Sequence, residues 1–291
     1  MSEKNEKPPS LFFRIGKFVR FSHTVFALPF ALISMLVAAE GLPHWSVFLW
    51  ILVCMVAART AAMAFNRLVD WEIDQENPRT EERHKLVTKP VANALVWISA
   101  VLFVIATTQL NLLCMVLAPV AVALIFFYSV TKRFTSYTHF FLGLALSAAP
   151  MGAWAAVTGE LFSWIPYILG LAVLFWVFGF DLIYSTLDAE FDKKSGLNSM
   201  PARFGIPTTL TIARWLHVLA ALVFAVFGYF ADLSWGFLLA WLISVGGLIY
   251  EHKLSKKGDI GSINQAFFQV NAIVSVALFV GVSLDVFLWK S

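Results

Sequence analysis

An all-α membrane bundle of about nine spanning helices is the fold class this sequence predicts, and three observations predict it. Of 291 residues, 59% are hydrophobic and only 13% are charged, against roughly 45–50% and about 25% in an ordinary soluble domain. The apolar residues fall in runs long enough to cross a bilayer, which takes about 20 residues. The charges gather between those runs. This deficit excludes a water-soluble globular enzyme and, more firmly, a disordered chain. A net charge of +3 is too small to point to nucleic acid.

Residues 1–10 are polar and read as a tail, so the chain divides into a cytoplasmic N-terminal segment (1–17) and one transmembrane domain (18–291). No cleaved signal is expected, because the first apolar run is full-length and lacks a small-residue cleavage site. Spans are expected at 18–39, 44–65, 91–108, 111–130, 138–158, 164–187, 208–230, 234–250 and 266–288. Pro29, Pro119, Pro150 and Pro166 do not interrupt them, since membrane helices tolerate proline. Cys54 and Cys114 lie inside apolar runs and read as packing residues.

Orientation follows from Lys and Arg. Twenty of the 21 fall on or near one side, in the N-terminal segment and the loops after even-numbered spans, leaving only Lys290 for the other. The positive-inside bias therefore places the N-terminus and those loops in the cytoplasm, as expected of a multi-pass protein of the cytoplasmic (inner) membrane.

Ten of the 18 acidic residues cluster where spans two and six run into their loops. The first cluster holds Asn66, Asp70 and Asp74 at four-residue spacing, with Arg59 seven residues upstream. Each step of four drifts about 40° around a helix, so one face carries all three. The second holds Asp181, Tyr184, Asp188 and Asp192, again on one stripe. Carboxylates closing a membrane helix are costly unless neutralised. Mg²⁺ does this with one or two carboxylates, completing its shell from water and substrate phosphates. Two facing stripes could thus hold Mg²⁺ on either side of a diphosphate, with Lys132, Arg133, Lys193 and Arg203 contacting the remaining oxygens. A plainer alternative is that the acids only balance loop cations. Arg59 could equally snorkel to the interface, and Tyr184 could be an interfacial anchor.

At these residues the sequence resembles the UbiA superfamily of intramembrane prenyltransferases. The family's Asn-then-two-Asp motif is matched by Asn66, Asp70 and Asp74, and its second Asp pair by Asp188 and Asp192 with Tyr184 and Asp181 upstream. Its Tyr-x-x-x-Lys-Arg stretch is matched by Tyr128, Lys132 and Arg133. The resemblance implies Mg²⁺-dependent transfer of a prenyl chain from a polyprenyl diphosphate to an aromatic acid, as in the 4-hydroxybenzoate polyprenyltransferase-like group of quinone synthesis. It also implies Asp70, Asp74, Asp188 and Asp192 as catalytic metal ligands, with Asn66 beside them. The segments from His23, from Asn77 to Thr80 and from Ser199 to Gly205 look more like the bacterial subgroup of the futalosine route to menaquinone, whose acceptor would be a dihydroxynaphthoate. His23 then becomes a candidate for orienting the acceptor, against a plain packing role. A haem O synthase-like or lipid prenyl ether synthase activity is the nearer alternative. A cation-coupled transporter is the more distant one, because the acids lie at helix ends, whereas transporters bind ions near the midplane.

Overall fold

The computed structural model describes residues 10–288. Among these residues nine helical segments are long and apolar enough to span a membrane, and no strand occurs. Part of the expected tail (1–9) and Lys290 lie outside the described residues. The rest of that stretch is a helix, α1 (Leu11–Phe18), anchored where Arg14 Nε donates to Leu86 O at 2.7 Å.

The first span is a 3₁₀ segment, Phe21–Phe26, leading into α2 (Leu28–Ala39). It ends at Glu40, which takes a left-handed conformation. α3 (Trp45–Val69) is followed by short α4 (Trp71–Glu76) and a loop with a 3₁₀ turn at Glu81–Lys85. Next come α5 (Lys89–Thr108), α6 (Leu112–Thr131), α7 (Thr138–Thr158) and α8 (Ile165–Ser185). A tight turn, Thr186–Asp188, leads to α9 (Ala189–Lys194) and α10 (Met200–Phe204). The chain closes with α11 (Ile206–Phe230), α12 (Trp235–Ser255), α13 (Ile260–Gln265) and α14 (Asn271–Leu288).

Two boundaries differ usefully from expectation. α12 runs on to Ser255, past the expected end at 250, because amphipathic side chains such as Lys253 can extend a span through the interface. The last span begins at Ile260 and carries a π-turn over Ala266–Val270. The carbonyls this turn leaves free are taken up by Asn271, whose Nδ2 donates to Ala266 O and Phe267 O, both at 3.2 Å.

Helix contacts follow membrane packing rules, in which small residues let backbones approach. A Cβ on Gly143 would lie 2.7 Å from Leu174 O, which explains the close α7–α8 contact, and Gly236 meets α14 at Gly281 in the same way. Polar ties replace the hydrophobic drive that lipid cannot supply. Asn111 accepts from Cys114 N at the start of α6 and donates to Ala155 O at 2.7 Å near the end of α7. Buried Asp285 accepts from the amides of Ser234, Gly236 and Phe237, capping α12 at its positive end. Trp176, Phe30, Phe180 and Phe224 centre the core, while large apolar residues such as Ile98, Val120 and Leu239 stay exposed on the outside. In water such a surface would be a liability; against lipid it is the expected one.

Candidate active site

Both carboxylate groups sit where a spanning helix breaks. Asp70 is the C-cap of α3, yet its amide still donates to Asn66 O at 3.0 Å, and Asp74 N donates to Asp70 O at 2.7 Å. The near-helical turn keeps Asn66, Asp70 and Asp74 on one cavity. After α8, the turn at Thr186–Asp188 does the same for Asp181, Tyr184, Asp188 and Asp192. Unbroken stripes were expected; each is bent at its middle Asp. A helix C-terminus disfavours carboxylates, whereas the break moves Asp74 and Asp192 into the first turns of α4 and α9, where the dipole favours them.

The cavity encloses about 420 Å³. Six cations (Arg20, Arg59, Arg67, Arg79, Arg83 and Lys132) and five carboxylates line its mouth and upper wall. Below them the walls are apolar and largely small, with Ala145, Ala149, Gly152, Ala153 and Ala156 from α7 facing Met55, Leu117 and Ile125. From Thr138 to Ala156 this wall runs roughly 27 Å at 1.5 Å per residue, enough for an extended chain of several isoprene units. Cys54 and Cys114 are free, buried and part of the same apolar wall.

The acids are held by cations. Asp74 accepts from Arg83 at 2.9 Å and Arg67 at 3.4 Å; Asp70 pairs with Arg133 at 3.3 Å, and Asp192 with Lys132 at 3.4 Å. Asp188 is clasped by the Arg79 guanidinium and by Asn77 Nδ2 at 3.0 Å, and Arg79 also donates to the Tyr184 hydroxyl at 2.6 Å. Asp181 meets His139 Nδ1 at 2.6 Å. Burial pushes the Asp70 carboxyl above its ordinary value, while Lys132 and Arg133 pull it down. Burial and the neighbouring Arg67 lower the Arg83 guanidinium to about 9, opposed by Asp74. Burial would lower Arg79 too, but its bonds to Asp188 hold it above the usual range.

Of the residues singled out from sequence, His23, Arg59, Asn66, Tyr128, Lys132 and all five aspartates line the cavity, as does Tyr184. Arg133 reaches Asp70 from outside the lining. Lys193 and Arg203, expected on phosphate, are exposed and do not line it: one step past inward-facing Asp192 turns Lys193 about 100° away, and Arg203 lies over the Phe204 ring. Arg67, Asn77, Arg79, Arg83 and His139 also line the cavity, and no motif in the sequence singles them out for it. In sequence, Asn77 and Arg79 stand out only as part of a subgroup-like segment, and the loop arginines only as topology markers.

Among the described residues no group of three or more His, Cys, Asp or Glu stands ready as a metal cage. The residues present nevertheless fit Mg²⁺. The donors are hard oxygens, and Asp192 Oδ1 is buried with no hydrogen bond, only the Lys132 ammonium 3.4 Å away. The cavity's surplus is only one cation over its carboxylates. A terminal phosphate alone carries about −1.5 to −2, so a diphosphate needs further positive charge.

A model of the UbiA prenyltransferase family matches residues 27–273. The 4-hydroxybenzoate octaprenyltransferase of Vibrio atlanticus (strain LGP32) is 32% identical over 253 residues, spanning 85% of this chain and 88% of that one. The enzyme of the same name from Saccharophagus degradans is 30% identical, spanning 87% and 84%. Among solved structures, the apo UbiA homolog from Aeropyrum pernix K1 superposes with a TM-score of 0.83 at 27% identity, covering 90% of this chain and 98% of that one. A homolog from Archaeoglobus fulgidus bound to GPP and Mg²⁺ shares the fold, with a TM-score of 0.69 at 16% identity over 93% and 99%. With nine segments among the described residues long and apolar enough to span a membrane, two carboxylate groups at helix breaks and a family match over most of its length, this chain belongs to the UbiA prenyltransferase family.

Proposed function

We propose that the protein transfers a polyprenyl chain from its diphosphate to an aromatic acid, 4-hydroxybenzoate or a dihydroxynaphthoate, in quinone synthesis. The observation that carries this reading is the two-part cavity: a polar mouth of paired acids and arginines opening onto an apolar chamber of roughly membrane depth. The names of the relatives support the aromatic acceptor.

Asp70, Asp74 and Asn66 on one side, and Asp188 and Asp192 on the other, would hold Mg²⁺, which when bound supplies electrostatic stabilisation of the departing diphosphate. The cations that now neutralise these acids, Arg67, Arg79, Arg83 and Lys132, are the natural partners of phosphate oxygens. The chamber keeps water from the allylic cation that ionisation leaves behind. Aromatic faces flank the mouth, with Phe267 stacked on Tyr184 at 4.1 Å and Phe26 5.3 Å from Phe267, and can stabilise that cation. The acceptor ring attacks, and a carboxylate of the second group takes its proton.

Arg59 sits eleven residues before Asp70 on α3, roughly 16 Å deeper along the helix. Its Nε is buried without a hydrogen-bond partner, and no carboxylate pairs with it among the described residues. A guanidinium left so inside a membrane protein fits the carboxylate of an acceptor. His23, ringed by Phe26, Phe267 and Phe268 at 5.2–5.4 Å, would orient the acceptor's hydroxyl. His23→Ala is then expected to raise KM for the aromatic acid about tenfold, the cost of one unpaired buried partner, with KM for prenyl diphosphate unchanged. Equal effects on both return His23 to packing.

Purified protein incubated with Mg²⁺, a polyprenyl diphosphate and a panel of aromatic acids tests the function directly, with products read by mass spectrometry. Prenylated aromatic acid is expected; its absence across the panel rejects the reading. The same basic loops support a cytoplasmic mouth. A Glu81→Cys thiol should react with an impermeant reagent only from the cytoplasmic face, over a low background because Cys54 and Cys114 are buried. Labelling in intact cells would invert the topology.

A further inference from the structure

A second concavity lies on the outer face of the bundle, between α11 and α12, and shares no residue with the central cavity. Its mouth is basic: Arg214 comes from α11, and Lys253 and Lys256 come from the end of α12 and the residue after it. All three are exposed, and none has an ion pair among the described residues. No carboxylate lines the groove. The acid nearest in sequence, Glu251, does not line the groove: it is fully buried behind the His217 ring, 3.8 Å from His217 Nδ1, and is bonded by Asn271 Nδ2 at 3.0 Å.

Below the cations the groove is apolar, walled by Val218 and Leu222 on one helix and Val245 and Ile249 on the other. Its floor is fixed. His217 Nδ1 lies 3.0 Å from His252 Nε2, and the His217 ring fills the space beside Gly179, where a Cβ would lie 2.2 Å from it. Trp241 is pinned by its Nε1, which donates to Ala221 O at 2.8 Å. The floor residues are therefore fixed by hydrogen bonds between the two helices.

α11 begins and α12 ends on the membrane side that carries the carboxylates, so Lys253 and Lys256 lie at that end, Arg214 stands eight residues into α11, roughly 12 Å along it, and the apolar cleft runs inward from them. Cations that only snorkelled to water would need no cleft beneath them. We propose that this groove binds an anionic phospholipid, its phosphate held by Arg214, Lys253 and Lys256 and one acyl chain lying against Val218, Leu222 and Ile249. The complementarity is twofold. Uncompensated positive charge meets phosphate through charge-assisted bonds, and basic pockets between spanning helices suit such headgroups. This site does not depend on the prenyl-transfer reading.

Native mass spectrometry of the full chain, purified in mixed phosphatidylglycerol and phosphatidylcholine and then delipidated stepwise, tests the assignment. One phosphatidylglycerol adduct is expected to outlast phosphatidylcholine by at least about tenfold in abundance. Arg214→Ala/Lys253→Ala/Lys256→Ala should abolish that preference. Lys17→Ala/Lys85→Ala/Lys257→Ala, which removes the same charge from exposed positions outside the groove, should keep it. Leu222→Trp, filling the cleft while leaving the cations, should also lose the adduct. Equal retention of both lipids, or loss in the control variant as great as in the groove variant, overturns the proposal. So does displacement of the adduct by inorganic phosphate alone, which would make this a phosphate site without a lipid.

Discussion

Asp70→Ala and Asp74→Ala are each expected to lower turnover by at least about 10³-fold, because each removes a hard oxygen donor from the mouth and with it several kcal/mol of charge stabilisation. The two should differ in stability. Losing Asp70 strands Arg133, whose side chain is 37% exposed, so water compensates and the cost is about 1 kcal/mol or less. Losing Asp74 strands Arg67, 8% exposed, together with Arg83, and breaking a buried pair from one side costs about 3 kcal/mol. Thermal unfolding of both variants in detergent, beside turnover titrated against Mg²⁺, separates chemistry from folding. Near-normal turnover at limiting Mg²⁺ in either variant removes that residue from the metal assignment. An Asp74→Asn protein that regains stability without activity would confirm that the two losses have different causes.

The spans and both carboxylate groups were legible because each rests on a local period. Twenty apolar residues mark a helix, and four-residue spacing puts Asn66, Asp70 and Asp74 on one side of it. What the period hides is where a helix stops. The breaks at Asp70 and at Thr186–Asp188 are set by the dipole and by exit from the membrane, and hydropathy does not register them. The loop from Asn77 to Lys85 has no period at all. Its Arg79 reaches Asp188, 109 positions along the chain, a pairing only tertiary structure reveals. His139 is equally silent in sequence, a single imidazole at a helix start that matters because α7 packs on α8 beside Asp181. The charge of a loop arginine is legible as a topology marker, but its direction is not. Lys193 and Arg203 show the converse, since their charge suits phosphate but their side chains lie outside the cavity.

Arg59→Ala should produce the second large effect, a rise of about 100-fold or more in KM for the aromatic acid. The magnitude follows from leaving one member of a buried charge pair without its partner, which costs upwards of 2–5 kcal/mol, roughly 30-fold to several thousand-fold. The prediction is selective because of depth. Arg67, Arg79, Arg83 and Lys132 already bond acids at the mouth, whereas Arg59 lies further down α3 with its Nε unsatisfied, facing the same cavity as Tyr128. KM for the prenyl diphosphate should therefore stay within about twofold of wild type, since additivity holds for sites that share no partner. Arg59→Lys keeps the charge but loses the planar fork that matches a carboxylate, so it should recover only part of the loss. An acceptor of the same ring lacking the carboxylate should be used poorly by the wild type and no worse by Arg59→Ala. A rise in KM for the diphosphate equal to that for the acid would instead place Arg59 with the phosphate cations, and the acceptor's carboxylate would have to be held elsewhere in the cavity.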